Sequence, residues 1–293
     1  MFKFEYPTKL VLGAVFFVYT CIQGTLLLGK LNDKLLSASI DKLTPADGKH
    51  YDYLVAGGSN AMLGISAERI AQKTGLKSYN IAISAAEGAG LLNYPDWLQQ
   101  SNSHAKTLIY SSMNLWYFGK TAPFEQLPDA TLSQPLKRPL IETPLIRTIS
   151  YARKKPSSSV NQYGDMTMFA CDAQIPFFDA GLGDTTAIDQ SRLQKFIQTV
   201  KATKNSVHAD EIYVRLPPIY VSAESALTFK NYITYIHKAL ASYGIELLGT
   251  EQALTTDSTK MCFGPNHPTA QAREEYTDAL IQELLSHKLL ASQ

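Results

Sequence analysis

The chain alternates between short apolar runs and longer segments in which apolar residues recur at helical spacing. The five short runs are Tyr53–Ala56, Lys77–Ser84, Thr107–Tyr110, Glu211–Leu216 and Ile245–Gly249. Helical spacing follows the first run, and it also marks Glu224–Tyr243 and Thr269–Leu290. Strands that alternate with amphipathic helices are typical of a parallel sheet with helices on both faces. We therefore predict an α/β domain over 51–293, with a doubly wound, flavodoxin-like parallel sheet of about five strands.

The first predicted strand ends in a glycine pair that leads directly into a helix. The stretch Gly57-Gly58-Ser59 places one hydroxyl where the strand stops. Ligands bind at the carboxyl edge of open α/β sheets, and the start of a helix adds unpaired N–H groups there. Ser59 is therefore a candidate nucleophile. The alternative is that Ser59 or Asn60 only caps the helix after a glycine turn.

A long segment after the third strand, residues 116–184, interrupts the alternation. It is rich in proline and aromatic residues and contains the basic run Arg153–Lys155. An irregular insertion of this length in a compact domain is either functional or disordered. Its aromatic residues favour an ordered cap or a partner surface.

The amino terminus contains an uncharged stretch, residues 10–29. Its length matches the about 20 residues that cross a bilayer core. We predict a single uncleaved membrane anchor over 1–30, followed by a polar stalk over 31–50. A secretory signal peptide and a buried helix are the alternatives. Lysines flank the stretch on both sides, so charge does not set its orientation.

Composition narrows the functional classes. Of the 293 residues, 45% are hydrophobic and 18% are charged, so a packed core is feasible. The net charge of +1 argues against a nucleic-acid binder. The three cysteines, Cys21, Cys171 and Cys262, lack metal-site spacing, and we predict no metal and no cofactor.

Two of these cysteines fall within the predicted domain. Outside the cytoplasm, Cys171 and Cys262 could pair. In the chain-entropy treatment, such a bridge over roughly 90 residues stabilises by about 4–5 kcal/mol. Two free buried cysteines are equally consistent with the sequence.

A histidine near the end of the chain is the best partner for Ser59. The loop Gly264–Pro268 precedes the last predicted helix, and in a doubly wound sheet it reaches the same edge as Ser59. A serine nucleophile needs a base within hydrogen-bond reach. We therefore expect His267 to act as that base, whereas the other five histidines lie near strand starts or within helices.

The order of these elements resembles the SGNH/GDSL hydrolase superfamily. Four short blocks carry the resemblance, and they are Gly57–Ser59, Asn80–Ala85, Ser111–Asn114 and Gly264–His267. The resemblance covers Tyr51 to the end of the chain, without the insertion. It implies that Ser59 attacks an ester carbonyl while His267 takes its proton. It also implies that the oxyanion is held by the N–H groups of Ser59 and Ala85 and by the Asn114 side chain.

Three departures from the family pattern bear on activity. Gly58 replaces an aspartate, Ala85 replaces a glycine, and Gly264 replaces the aspartate that would orient His267. Glu251, Asp257 or a backbone carbonyl could substitute for that last aspartate. The site is therefore either a Ser–His dyad or catalytically inactive.

Membrane-anchored members of this superfamily, in alginate acetylation and teichoic-acid D-alanylation, resemble this layout of span, stalk and domain. The resemblance implies a domain outside the cytoplasm, anchored through 10–29, and a serine-dependent acyl esterase or O-acyltransferase. Its substrate would be an acylated envelope polysaccharide and its partners other envelope-assembly membrane proteins, with no nucleic acid. The insertion would then line a saccharide groove, or be only a structural cap.

Two other functions stay open. One is a catalytically inactive scaffold or glycan-binding component of an envelope assembly. The other is a phosphate-binding module at Gly57–Asn60, which lacks the lysine of a P-loop.

Overall fold

The computed structural model describes residues 42, 50–83, 98–99, 102–116, 160–166, 188–262 and 266–291. The predicted anchor, most of the stalk and most of the insertion lie outside this part of the chain, as do Ala85, Cys171 and Gly264. No helix among the described residues has both the length and the apolar character needed to cross a membrane.

Seven strands and five α-helices make up the described domain. In chain order they are β1 His50–Gly57, α1 Ser59–Gly64, α2 Ala67–Thr74, β2 Ser78–Asn80, β3 His104–Ser111, α3 Gln190–Ser206, β4 Glu211–Arg215, β5 Ile219–Tyr220, α4 Ala226–Ala241, β6 Glu246–Leu248, β7 Leu254–Thr255 and α5 Ala270–Ala291. Short 3-10 helices span Met113–Trp116 and Ser258–Lys260.

Five of the strands form one parallel sheet in the order β2-β1-β3-β4-β6. The predicted α/β class and the parallel sheet of about five strands are therefore confirmed. A second sheet, formed by β5 and β7, was not predicted. Each of its strands has only two residues, too few to show an alternating pattern.

Apolar side chains cover both faces of the large sheet. Consecutive strand residues point to opposite faces, so Leu54 lies in one core cluster and Val55 in the other. Helices α3 and α4 pack on the face of Leu54, and we call this the α3/α4 face. Helices α1, α2 and α5 pack on the face of Val55, which we call the α5 face. Burial on both faces explains why the strands read as continuous apolar runs.

The observed bounds differ from the predicted ones mainly at three strands. β1 and β3 each begin three residues earlier and end one residue later than the predicted Tyr53–Ala56 and Thr107–Tyr110. The predicted strand Lys77–Ser84 is assigned only over Ser78–Asn80, although the N–H groups of Ile81 and Ile83 still donate to the carbonyls of Val55 and Gly57. The segment after Asn80 therefore continues along β1 toward the carboxyl edge of the sheet.

Candidate functional site

A tight turn at Gly57 brings the chain from β1 into α1. Gly57 has φ of +129°, and a Cβ there would lie 1.9 Å from the carbonyl oxygen of Ser111 on β3. Only glycine fits this turn, because a side chain would meet the backbone of the neighbouring strand. The Gly58 N–H donates to the same Ser111 oxygen over 3.3 Å. The start of α1 is thus held against the end of β3.

Ser59 is the first residue of α1. The N–H groups of Ala61 and Met62 donate to the Gly58 carbonyl, both over 3.0 Å. The first N–H groups of a helix have no intrahelical acceptor, so those of Ser59 and Asn60 point out of its start. The rest of α1 is buried, whereas Ser59 is partly exposed. The helix therefore holds one hydroxyl at the surface of the carboxyl edge.

The structure brings Ser59 and His267 together. The distance from His267 Nε2 to Ser59 Oγ is 3.1 Å, within hydrogen-bond reach across more than 200 residues of sequence. The imidazole is partly exposed, so an approaching substrate can reach the pair. This arrangement suits proton transfer from a hydroxyl to a ring nitrogen.

Contacts on both sides of the loop fix the position of His267. Asn60 Nδ2 donates to the Asn266 carbonyl over 2.8 Å, which ties the loop to α1. The Cys262 N–H donates to the His267 carbonyl over 2.7 Å. Pro268 forms a bridge with Met261 and packs over Gly64, where an added Cβ would lie 3.7 Å from its ring. Ser59 and His267 are thus carried by elements that contact each other directly.

Cys262, close to this histidine, is part of a disulfide. Of the two alternatives for this cysteine, the free thiol is therefore wrong. The other two cysteines, Cys21 and Cys171, lie outside the described residues. Cys262 directly follows Met261, where the loop that carries His267 begins.

Neither carboxylate suggested as an orienting group contacts the imidazole. Asp257 accepts hydrogen bonds from the N–H and the hydroxyl of Thr259, over 3.0 and 2.6 Å. These bonds lower the pKa of Asp257 and hold its carboxylate at the 3-10 turn that follows. Glu251 lies three residues after β6 and is exposed. Of the three alternatives for the orienting group, a backbone carbonyl therefore stays open.

Asn114 lies at the same edge as Ser59. It follows β3, the direct neighbour of β1, and its side chain is exposed. Its N–H donates to the Ser112 hydroxyl over 3.2 Å, and its amide makes no hydrogen bond with Ser59 or His267. Ala85, the other predicted oxyanion donor, is outside the described residues. The segment leading to it runs beside Gly57, because the Ile83 N–H donates to the Gly57 carbonyl over 3.1 Å.

A lysine from the predicted stalk is buried in the domain. Lys42 is 2% exposed, and its ammonium donates to the Ala82 carbonyl over 2.9 Å. Burial lowers its pKa to about 7, against an opposing effect of Asp165, and Arg273 lowers it further. Sequence reasoning missed this residue because a lysine in a polar segment is normally solvated.

The remaining histidines lie away from Ser59. The rings of His50, His104 and His208 form a stack at the amino-terminal edge of the sheet, with centroids 4.9 and 4.8 Å apart. His237 is exposed on α4, and His287 pairs with Glu246 over 2.8 Å. The predicted placement of these residues near strand starts or within helices is confirmed. Within the described residues, no cluster of histidine, cysteine or acidic side chains is suited to a metal ion.

No protein-family model matches the chain, and no curated protein matches its sequence.

Proposed function

We propose that this protein is a serine-dependent acyl esterase or O-acyltransferase in which Ser59 is the nucleophile and His267 the general base. The observation that carries the proposal is the 3.1 Å contact between His267 Nε2 and Ser59 Oγ at the carboxyl edge of the sheet. A serine hydroxyl is a weak nucleophile by itself and is activated by a base at this distance.

In the proposed reaction, Ser59 Oγ attacks an ester carbonyl while its proton passes to His267 Nε2. The negative charge on the tetrahedral intermediate is held by the N–H groups of Ser59 and Ala85 and by the amide of Asn114. The imidazolium then protonates the departing alcohol, which leaves an acyl group on Ser59. Water completes hydrolysis, or a sugar hydroxyl completes transfer, with the same histidine as base.

The fold supports an SGNH-like assignment as part of this proposal. When only the five strands of the large sheet are numbered, β6 is the fifth and the order is 2-1-3-4-5. With helices on both faces, this is the flavodoxin-like arrangement. Ser59 follows the first strand, Asn114 follows the third, and His267 precedes the last helix. By this analogy the substrate is an acyl group on an envelope polysaccharide. The disulfide at Cys262 favours a location outside the reducing cytoplasm.

An inactive scaffold or glycan-binding component is the second candidate. Gly58 and Gly264 stand where the family pattern has carboxylates. Neither Asp257 nor Glu251 supplies a carboxylate at the imidazole. In the serine-protease template, a non-ionisable replacement of that carboxylate lowers kcat about 10⁴-fold. The second candidate therefore rests on the two glycines that stand in place of those carboxylates.

The decisive experiment compares Ser59→Ala with the wild type, using the full chain in detergent and p-nitrophenyl acetate. We expect the substitution to lower the rate of acetate release by a factor on the order of 10³ or more. Ser242→Ala is the matched control, because this exposed serine caps α4 far from the edge. Equal rates for Ser59→Ala and the wild type would refute the enzymatic proposal. Binding to acetylated polysaccharide that survives Ser59→Ala with His267→Ala would then support the scaffold.

A further inference from the structure

A short stretch between β3 and α3, residues 160–166, packs against β2 and the junction between α1 and α2. Val160 and Met166 form an antiparallel bridge, and Asn161 Oδ1 accepts hydrogen bonds from the N–H groups of Tyr163 and Asp165, over 2.9 and 3.0 Å. Gly164 has φ of +74°, and a Cβ there would lie 2.3 Å from the Asn80 carbonyl oxygen. We call this stretch the 160–166 turn. Its backbone is pressed against β2, the edge strand of the sheet.

Asp165 projects from this turn into the junction between α1 and α2. The side chain is 1% exposed. Its Oδ1 accepts from the Ala67 N–H over 3.0 Å, and its Oδ2 accepts from the Glu68 N–H and the Ser66 hydroxyl over 2.9 and 2.8 Å. A carboxylate at a helix start satisfies the unpaired N–H groups and suits the positive end of the helix dipole. Asp165 therefore fixes the point where α1 ends and α2 begins.

Asn80 links this junction to the segment beside the nucleophile. The side chain is fully buried, and its Nδ2 donates to the carbonyls of Ile65 and Ala61 over 2.9 and 3.2 Å. The same amide approaches Asp165 Oδ1 at 3.4 Å. Its Oδ1 accepts from the Ala82 N–H over 3.1 Å. One amide thus joins the end of α1, the buried carboxylate and the chain that runs toward Ala85.

The shortness of α1 makes these contacts matter for Ser59. A helix of six residues has too few internal hydrogen bonds to hold its own shape and direction. Its direction is set from outside, at one end by the Gly57 turn and at the other by Asn80 and Asp165. A tilt of α1 would move the Ser59 hydroxyl relative to His267, and a misplacement of 1 Å can cost about 10²-fold in rate.

From this geometry we propose that Asp165, through Asn80 and the end of α1, is a positioning residue for the Ser59 nucleophile. The inference rests on the proposed function of Ser59. Asp165 does not contact the substrate, and its effect is to hold the helix that carries the hydroxyl. The 160–166 turn therefore contributes to the position of Ser59.

The test is Asp165→Asn, compared with a capping aspartate elsewhere. The NH2 group replaces one carboxylate oxygen, so it meets either the Ala67 N–H at the Oδ1 position or the Glu68 N–H and Ser66 hydroxyl at the Oδ2 position. We expect kcat for p-nitrophenyl acetate to fall about 10- to 100-fold with KM changed less than about twofold. The rates are measured well below the melting temperature of each variant, so that unfolding does not contribute.

Asp189→Asn is the matched control. Asp189 caps α3 in the same way, accepting from the N–H groups of Ser191 and Arg192 over 2.8 and 3.2 Å. Its helix packs on the opposite face of the sheet. We expect Asp189→Asn to lower the melting temperature while leaving kcat within about twofold of the wild type, because α3 carries no site residue.

A milder substitution keeps the inference testable if Asp165→Asn does not fold. Ser66→Ala removes one hydrogen bond to Asp165 and the cap that the Ser66 hydroxyl provides for the Arg69 N–H over 3.1 Å, and it leaves the carboxylate in place. We expect an intermediate loss of kcat. If Asp165→Asn is insoluble, a kcat for Ser66→Ala within twofold of the wild type overturns the inference.

The outcomes separate this inference from the proposed function. If Ser59→Ala is inactive but Asp165→Asn retains kcat as Asp189→Asn does, the positioning role is overturned and the proposed function stands. If Ser59→Ala is as active as the wild type, the proposed function falls and this inference falls with it. Inactivity of Ser59→Ala together with a selective kcat loss in Asp165→Asn supports both.

Discussion

The two faces of the sheet bury different kinds of residue. Among the described residues, three charged side chains are buried, Lys42, Asp165 and Arg215, and all three lie on the α5 face. The buried amide of Asn80 lies on the same face. On the α3/α4 face, the buried hydroxyls of Thr203 and Ser206 donate to carbonyls of their own helix. Two further buried side chains on this face, Trp116 and Tyr232, donate to the carbonyls of Pro217 and Leu115. Ser59 and His267 are carried by α1 and by the loop before α5, on the face that buries charged groups.

Arg215 illustrates the desolvation penalty of burying a charged group on the α5 face. Its guanidinium is 1% exposed and donates to the Tyr276 carbonyl of α5 over 3.3 Å. Burial lowers its pKa to about 10, against an opposing effect of Glu283. A buried charge is weak evidence for stability, because desolvation offsets much of its attraction to partners. Such groups specify one arrangement of neighbouring elements when their bonds are made.

Both faces contribute apolar burial, and they differ in the charged groups that they bury. Apolar burial does not depend on direction. The α5 face contributes hydrogen bonds with fixed geometry, and these hold α1 and the His267 loop. Changes to the polar groups of the α5 face should therefore affect the proposed reaction first, whereas changes within α3, which carries no site residue, should affect stability alone.

The largest expected effect is a loss of activity when His267 is substituted. With His267→Ala, Ser59 loses its proton acceptor, and we expect the rate of acetate release to fall by a factor on the order of 10⁴. The melting temperature should change little, because the ring is partly exposed. The control is His237→Ala, on the exposed side of α4. An active His267→Ala would show that the contact with Ser59 has no catalytic role.

The next largest expected effect is a loss of stability when a core residue on the α3/α4 face is truncated. Phe196 is 4% exposed and packs edge-on against Tyr110, with ring centroids 5.8 Å apart. Phe196→Ala should lower the free energy of unfolding in urea by about 3–5 kcal/mol, because it removes buried area and leaves a cavity. The kcat of the folded fraction should stay unchanged. Leu227→Ala, at a side chain 70% exposed, is the control and should have little effect. A large kcat loss in Phe196→Ala would contradict the division between the faces.

The smallest effect is the pH dependence that Lys42 contributes. The unfolded lysine binds its proton up to its ordinary pKa of 10.5, whereas the folded lysine, with a pKa of about 7, releases it earlier. Between these values the unfolded state binds more protons, so the free energy of unfolding should rise with pH by up to about 1.4 kcal/mol per unit. Below pH 7 this contribution is flat.

Urea unfolding from pH 6 to 9 measures this contribution as the difference between the wild type and Lys42→Met. The control is Lys230→Met, because Lys230 is exposed on α4. Identical pH profiles for the wild type and Lys42→Met would show that Lys42 does not titrate in this range.

Much of the fold could be predicted because strands buried on both faces are apolar throughout and long helices keep their period. The predicted helix Glu224–Tyr243 is α4, Ala226–Ala241, and the predicted Thr269–Leu290 is α5, Ala270–Ala291. The two-residue strands β5 and β7 could not be predicted, because a ladder that short is set by its partner.

The contact of Ser59 with His267 was foreseeable from topology, since the ends of parallel strands share one edge. Asp165 was not foreseeable, because its partners Ser66 and Ala67 are 99 and 98 positions away and no periodicity links them. Asp257 was a plausible orienting acid, yet its local bonds to Thr259 compete for the carboxylate. Contacts between irregular segments depend on tertiary placement, which a single sequence does not encode in any local pattern.

The glycine pair before Ser59 has unequal tolerance to change. At position 57 a methyl group would overlap the backbone of β3, so a saturation library selected for folded protein should return glycine there almost alone. At position 58 the backbone has φ of −87° and ψ of −164°, an extended conformation that any amino acid adopts. Diversification aimed at altering the proposed reaction therefore has a permissive backbone at Gly58 but not at Gly57.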